Sequence, residues 1–298
     1  MKHVLELFLF LAVAAPLAVL PLRASRKVGE LLGLLLYALW GTRRRVGTEN
    51  LRAALARGAL EDSRSAEAIC RENFRHMGRG AAELVKVFLG RGDALVRDVV
   101  VQGREHLERA RQGGRGVILV TGHFSNWELL ALSLSVRVMP IVGVARKQSN
   151  PYLDRLVMST RKRYGSEMVY KRGALRRFLA VLHSGGAVGV VMDQAVFPDE
   201  GVLIDFLGAP AWTTRTPVAL ARRTGAALVP VFIVWDGAGY TIRIREEVPL
   251  LGEEAEDTRR LSAHIEQEIR EHPAQWLWIH RRWKRAGTRP EPQANAVS

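Results

Sequence analysis

Cysteine occurs once in the 298 residues, at Cys70, which excludes a disulfide framework and any metal centre built on paired thiolates. In its helical setting Cys70 reads as a small buried residue. There is no HExxH sequence and no other pair of histidines or carboxylates at ligand spacing, so no metal is expected. A Walker loop is missing and no GxGxxG follows a strand, so no nucleotide or other cofactor is expected either. Nor is there a GxSxG turn to carry a nucleophilic serine. Ser125 stands in HFSNW and reads, with Asn126, as a helix cap. Acids are the remaining shortage, 30 Asp and Glu against 44 Lys and Arg. The resulting net charge of +14 and pI near 10.7 predict an acidic partner: nucleic acid, an anionic membrane surface, or a phosphorylated or acidic molecule.

The positive excess is local. From Arg137 to Arg177 eleven Lys and Arg meet only Asp154 and Glu167, whereas Glu246 to Glu271 holds nine acids against three arginines. Single residues of the basic stretch read as solvated helix faces. As a group they come directly after His123, which suits an anionic ligand there.

Long apolar runs are also scarce. Leu7 to Leu22 is free of charge but carries Pro16 and Pro21. As a helix it reaches about 24 Å, short of a hydrocarbon core of about 30 Å. A signal peptide is the rival reading. Against it, no small-x-small cleavage site is evident, and a second apolar block, Leu31 to Trp40, comes at once. Arg23, Arg26 and Lys27, then Arg43, Arg44 and Arg45, mark the carboxyl side as cytoplasmic. The expected organisation is therefore a membrane anchor with an interfacial helix over 1–45, one α/β domain over 46–286, and a loose tail over 287–298.

Within the middle segment, helical spacing marks Thr48 to Arg57 and Ser65 to Leu89, and DVVVQ at Asp98 to Gln102 reads as a strand before a helix at Glu105 to Arg111. Strand and helix then alternate: Val117 to Val120, Trp127 to Val136, Pro140 to Val144, Pro151 to Tyr164, Ala174 to His183, Ala187 to Met192. That alternation predicts an α/β fold, a largely parallel sheet covered by helices. Beyond Asp193 come a loop with Pro198, a strand-like VLIDFLG, a polar turn at Thr213 to Thr216, a helix closed by Gly225, a strand pair at Leu228 to Trp235 and Tyr240 to Glu246, and a charged helix from Glu253 to His272.

The stretch GVILVTGHFSNWELLA, Gly116 to Ala131, places His123 at the carboxyl end of a buried strand and Glu128 in the first turn of the next helix, where open α/β sheets bind ligands. A histidine with a carboxylate partner is the minimal general-base unit. The bare spacing is weak, since eight histidines and 30 acids give about 0.8 chance His-x4-acid matches per chain.

The wording around it is more specific. TGHFSNWELL, RKQSNPYLDRL, VVMDQAVFPDEGVLIDFLGAPA and HPAQWLWIHRRWK, in that order, resemble the late acyltransferases of lipid A biosynthesis, within the lysophospholipid acyltransferase superfamily, over roughly residues 15–285. The resemblance implies acyl transfer from acyl carrier protein, or another acyl thioester, to a hydroxyl on a Kdo-modified, phosphorylated glucosamine disaccharide. It implies His123 as base and Glu128 as its orienter, with no acyl-enzyme, at the cytoplasmic side of a bacterial inner membrane. Arg146 matches the family arginine ahead of Asn150-Pro151, where acceptor phosphate or the oxyanion would bind. Asn150 is by itself also a good helix start. Asp193 and Gln194 close the strand AVGVVMDQ and should emerge at the same sheet edge as His123, unless Asp193 caps the loop after it.

Trp276, Trp278 and Trp283, interleaved with His280, Arg281, Arg282 and Lys284, suit a membrane headgroup level, or, as core residues, the underside of the last helix. Beside a hydrophobic N-terminus the membrane reading is preferred over nucleic acid, which is not an expected partner. Acyltransferases for mannosylated phosphatidylinositol or lysophospholipids are the near rivals, and a basic membrane-surface protein without activity is the distant one.

Overall fold

The structure is a computed structural model and describes residues 2–287. Apart from Gly287, the expected tail lies outside those residues. In chain order the elements are α1 Lys2–Val19, α2 Leu22–Leu39, α3 Gly41–Ala56, α4 Ala66–Phe88, α5 Asp93–Arg97, β1 Val100–Gln102, α6 Arg104–Ala110, β2 Val117–Thr121, α7 Trp127–Arg137, β3 Ile141–Ala145, α8 Pro151–Arg163, β4 Ser166–Tyr170, α9 Ala174–His183, β5 Ala187–Val191, β6 Gly201–Asp205, β7 Pro210–Thr214, α10 Thr216–Thr224, β8 Ala227–Trp235, β9 Tyr240–Ile244 and α11 Glu254–Glu271.

The main sheet has the order β1-β9-β8-β2-β5-β3-β4. β8, β2, β5, β3 and β4 run parallel, and β9 is antiparallel to β8. The expected α/β sheet is thus present as a mixed, mostly parallel one. β2 sits near its centre, and all five of its side chains are buried, which is why VILVT shows no polar alternation. Successive residues of β2 serve opposite layers. Ile118 and Val120 pack with Phe178 of α9, Val218 of α10 and Leu261 of α11. Val117 and Leu119 pack with Leu129, Leu132 and Leu134 of α7. Fully buried leucines such as Leu129 and Leu132 each contribute about 1.5–3 kcal/mol through area removed from water.

Three elements depart from expectation. SEMVY forms β4, an edge strand beside β3, although its leading Ser and Glu hide it from periodicity. The polar turn expected at Thr213 to Thr216 is divided: Thr213 and Thr214 end β7, Thr216 opens α10, and β7 pairs with β6 across an earlier turn at Leu207 and Gly208 with φ of 52° and 72°. Thr213 is fully buried there, and β-branched threonine fits a pleated strand. The short α5 carries no signal in the sequence.

α2 begins at Leu22 and so includes the charged segment Arg23 to Glu30 as well as the apolar block. It crosses α4 at backbone contact: a Cβ at Gly33 would collide with the Phe74 carbonyl, and one at Gly78 with the Gly29 carbonyl. Its opposite side exposes Leu31, Leu35, Leu36 and Leu39. α1 is, among the described residues, the one helix long and apolar enough to cross a membrane. α3 runs across residue 45, so the expected division between anchor and α/β unit falls inside a helix.

Candidate active site

The carboxyl ends of β2 and β5 carry the site. β2 stops at Thr121, and Gly122 comes next, where a side chain would press on its neighbours. A Cβ would lie 3.1 Å from Asp193 Oδ2 and 3.1 Å from Ile265 Cγ2. Phe124 then forms a bridge with Trp276, and Leu277 donates its N–H to the His123 carbonyl at 3.1 Å, so the C-terminal segment closes the loop from below. Ser125 has φ of 48°, a left-handed conformation a non-glycine keeps only when its surroundings enforce it. Asn126 caps α7, its Oδ1 accepting from the Leu129 N–H at 3.2 Å.

His123 is held on both ring nitrogens. Its Nδ1 lies 2.7 Å from Asp193 Oδ1, and its Nε2 lies 3.1 Å from Gln194 Nε2. An ionised carboxylate only accepts, so the proton belongs on Nδ1, and Nε2 presents its lone pair. Asp193 is buried and fully used: Oδ2 accepts from the His123 backbone N–H at 2.7 Å and from the Trp276 indole at 2.7 Å. Burial, the largest influence on this carboxyl, favours the neutral acid, but His123 and the surrounding donors outweigh it and hold the pKa below the usual carboxylate value. The Trp127 ring stands edge-on to the imidazole with centroids 5.0 Å apart.

Glu128 is not the ring's partner. Its carboxylate is forked by Arg161 of α8, Nε to Oε1 at 2.6 Å and Nη2 to Oε2 at 2.8 Å. The sequence interval places Glu128 in the first turn of α7 beside the cleft, but Nδ1 faces the residues just past β5, where a carboxylate 70 residues later in sequence accepts its hydrogen bond. Asp193 and Gln194 therefore join His123, and the alternative of Asp193 as a loop cap is set aside. Arg146 is exposed at the end of β3 and does not line the cleft. Asn150 does not line it either. Its Oδ1 caps α8 at Tyr152 N–H, 3.0 Å away, and its Nδ2 donates to the His3 carbonyl at 2.8 Å and to Glu6 at 3.0 Å.

The cleft encloses about 760 Å³. His123, Gln194, Glu128 and Arg161 stand in a lining that also includes Leu119, Leu130, Leu134, Ile141 and Met168. A base, a carboxylate-held guanidinium and an apolar trench thus share one space. Sequence reasoning misses Arg161 and Trp276 as site residues; neither spacing nor composition distinguishes Arg161 from its basic neighbours. The tryptophan cluster is a correction of another kind, since Trp276 and Trp278 are interior. Their N–H groups are bound to Asp193 and to the Pro273 carbonyl, and Arg282, fully buried, donates to the Trp212 carbonyl. Glu268, Glu271 and His272 approach one another closely enough to share an ion, but both carboxylates are already paired with Arg243, and Glu268 with Arg245.

A family model described as bacterial lipid A biosynthesis acyltransferase matches residues 1–285. The chain is 32% identical over 226 residues to a lipid A biosynthesis lauroyltransferase of Escherichia coli, covering 74% of this chain and 72% of that protein. It is 28% identical over 271 residues to a lipid A biosynthesis palmitoleoyltransferase of the same organism, covering 88% and 85%. A phosphatidylinositol mannoside acyltransferase of Mycobacterium tuberculosis is 28% identical over 190 residues, covering 62% of this chain and 60% of that protein.

Proposed function

The chain belongs to the bacterial lipid A biosynthesis acyltransferase family and is an O-acyltransferase acting on a glycolipid, and from that premise we propose a donor, an acceptor and a mechanism. The donor is an acyl carrier protein thioester, and the acceptor is a hydroxyl of the phosphorylated disaccharide precursor. His123 Nε2 takes the hydroxyl proton as the oxygen attacks the thioester carbonyl. The tetrahedral intermediate collapses with breakage of the C–S bond, and the imidazolium returns the proton to the departing thiolate. No acyl-enzyme forms. Asp193 fixes the ring's tautomer and balances its transient charge.

The observation that carries this reading is the His123 Nδ1 to Asp193 contact at 2.7 Å at the lip of the cleft. Glu128 holds Arg161 in place, and that guanidinium is the cation for the oxyanion or an acceptor phosphate. The trench of Leu119, Leu130, Leu134 and Ile141 suits an acyl chain. α1 and the leucines of α2 seat the enzyme on the inner membrane with the cleft at its cytoplasmic side.

The test supplies membranes containing the protein with acyl carrier protein thioester or acyl-CoA, and with the Kdo-modified disaccharide precursor or mannosylated phosphatidylinositol. Products are read by mass spectrometry. Gain of one acyl group on the disaccharide from the carrier-protein donor is expected. Acylation of the mannolipid alone would replace this reading with the rival acceptor.

A further inference from the structure

Glu83 lies in the C-terminal third of α4, lines no part of the cleft, and has no exposed surface. Taking a carboxylate out of water costs several kcal/mol unless donors surround it, so where those donors come from matters. Arg26 of α2 supplies its Nε at 2.7 Å, Tyr240 of β9 its hydroxyl at 2.6 Å, and Asn126 its Nδ2 at 3.1 Å.

Asn126 is the cap of α7 and stands three residues after His123. Its two amide ends are both committed, one to the Leu129 N–H and one to Glu83. The strained Ser125 between them has its own support: its N–H donates to the Gln275 carbonyl at 2.6 Å. The Gln275 side chain in turn bonds the Trp235 backbone at both ends, at 2.9 and 2.8 Å. The Trp235 ring lies 4.5 Å from the Arg26 guanidinium and 4.4 Å from that of Arg79. Arg26 therefore contacts the partner of each support of the His123 loop, Glu83 for Asn126 and Trp235 for Gln275, from a helix whose other side exposes leucines.

We propose that Glu83 is a positioning residue for acyl transfer: it ties the membrane-facing helix α2 to the cap of α7 and so sets where the His123 loop stands. The proposal rests on His123 being the base. Neither Glu83 nor Arg26 reaches the substrate cleft, so their loss should alter turnover and leave substrate affinity alone. A displacement near 1 Å at reacting atoms costs on the order of 100-fold.

The experiment measures kcat, KM for donor and acceptor, and melting temperature for full-length Glu83→Gln, Asn126→Asp, Arg26→Gln and the Arg26→Gln/Asn126→Asp pair in mixed micelles, with rates normalised to folded protein. Asp caps a helix as well as Asn does, so Asn126→Asp keeps α7 while setting a second carboxylate against Glu83, and it serves should Glu83→Gln fail to fold. We expect kcat to fall about 10- to 100-fold in Glu83→Gln and Asn126→Asp with KM within about twofold. The paired variant should lose less than the product of its single losses, because both act through Glu83. Wild-type kcat in folded Glu83→Gln or Asn126→Asp, or independent multiplication in the pair, overturns the proposal. His123→Ala assayed alongside separates the two failures: if it is inactive while Glu83→Gln is normal, only the positioning role falls, and if it is active, the base assignment falls first.

Discussion

Replacing Asp193 by Asn changes one atom and removes one charge, and the hydrogen bonds around the carboxylate dictate how the amide settles. Oδ1 meets the His123 Nδ1, while Oδ2 accepts from the His123 backbone and from Trp276. An amide must put its NH2 group on one side. Toward Oδ2 it would confront two N–H donors that cannot turn away, leaving two buried bonds unmade at about 1–3 kcal/mol each. Toward Oδ1 it confronts a single ring nitrogen, which can become an acceptor by moving its proton. The variant therefore adopts the second arrangement, with the imidazole proton driven onto Nε2, the atom that has to accept from the substrate. Loss of a working general base costs on the order of 10²–10⁴ in rate, or about 2.7–5.4 kcal/mol at 1.36 kcal/mol per factor of ten. Single-turnover transfer from a labelled acyl carrier protein, with melting temperature recorded in parallel, measures this. A folded Asp193→Asn enzyme within about threefold of wild type would refute the tautomer argument.

Other perturbations report on neighbouring parts of the site. Glu128→Gln keeps a hydrogen bond to Arg161 but not the ion pair, and is expected to lose about tenfold in kcat/KM, near 1.4 kcal/mol; a loss equal to that of Asp193→Asn would restore Glu128 as the orienter. Gly122→Ala needs the Asp193 carboxylate to move a few tenths of an ångström and should lower kcat with a small drop in melting temperature, whereas an unchanged kcat would show the carboxylate has room. Burial pushes the His280 pKa down from 6.5 to about 4, so between those values the unfolded chain binds a proton that the folded one refuses and stability falls as pH falls. Asp193, held low, adds its loss below about 3.9. Circular dichroism melts from pH 7 to 4 should show the decline, to which His76, His264 and His272, also held low by burial, contribute, and His280→Gln should make it shallower; a curve unaffected by that change contradicts the assignment. Leu35→Glu with Leu36→Glu charges the exposed side of α2 and should reduce recovery in the membrane fraction, and full recovery would remove α2 from the lipid contact.

How much of this is legible in sequence depends on how far each signal has to reach. The strand, turn and capped helix from Val117 to Arg137 are local events, and Asn126 declares itself by residue type. The alternation beyond them reveals the sheet, because parallel strands covered on both sides must be apolar throughout. The identity of the imidazole's partner is not local. Glu128 stands at the expected spacing, but Asp193 stands two residues past the end of β5, the strand hydrogen-bonded beside β2, and only the β2–β5 register brings it across. Arg146 is apt by residue type because arginine suits phosphate, yet the turn after β3 leaves it outside the cleft while Arg161, one among several basic residues of α8, reaches in. The tryptophans are ambiguous for a physical reason: an indole fits an interface and an interior equally, and what decides Trp276 is a buried carboxylate awaiting its N–H.

The central claim is that His123 itself moves the proton. Its most direct test is acyl transfer by a folded, membrane-associated His123→Ala protein, with donor and disaccharide both saturating and product counted by mass spectrometry. The account predicts a rate lower by a factor on the order of 10²–10⁴, with acceptor binding retained. Transfer at a rate within a few fold of wild type would contradict it.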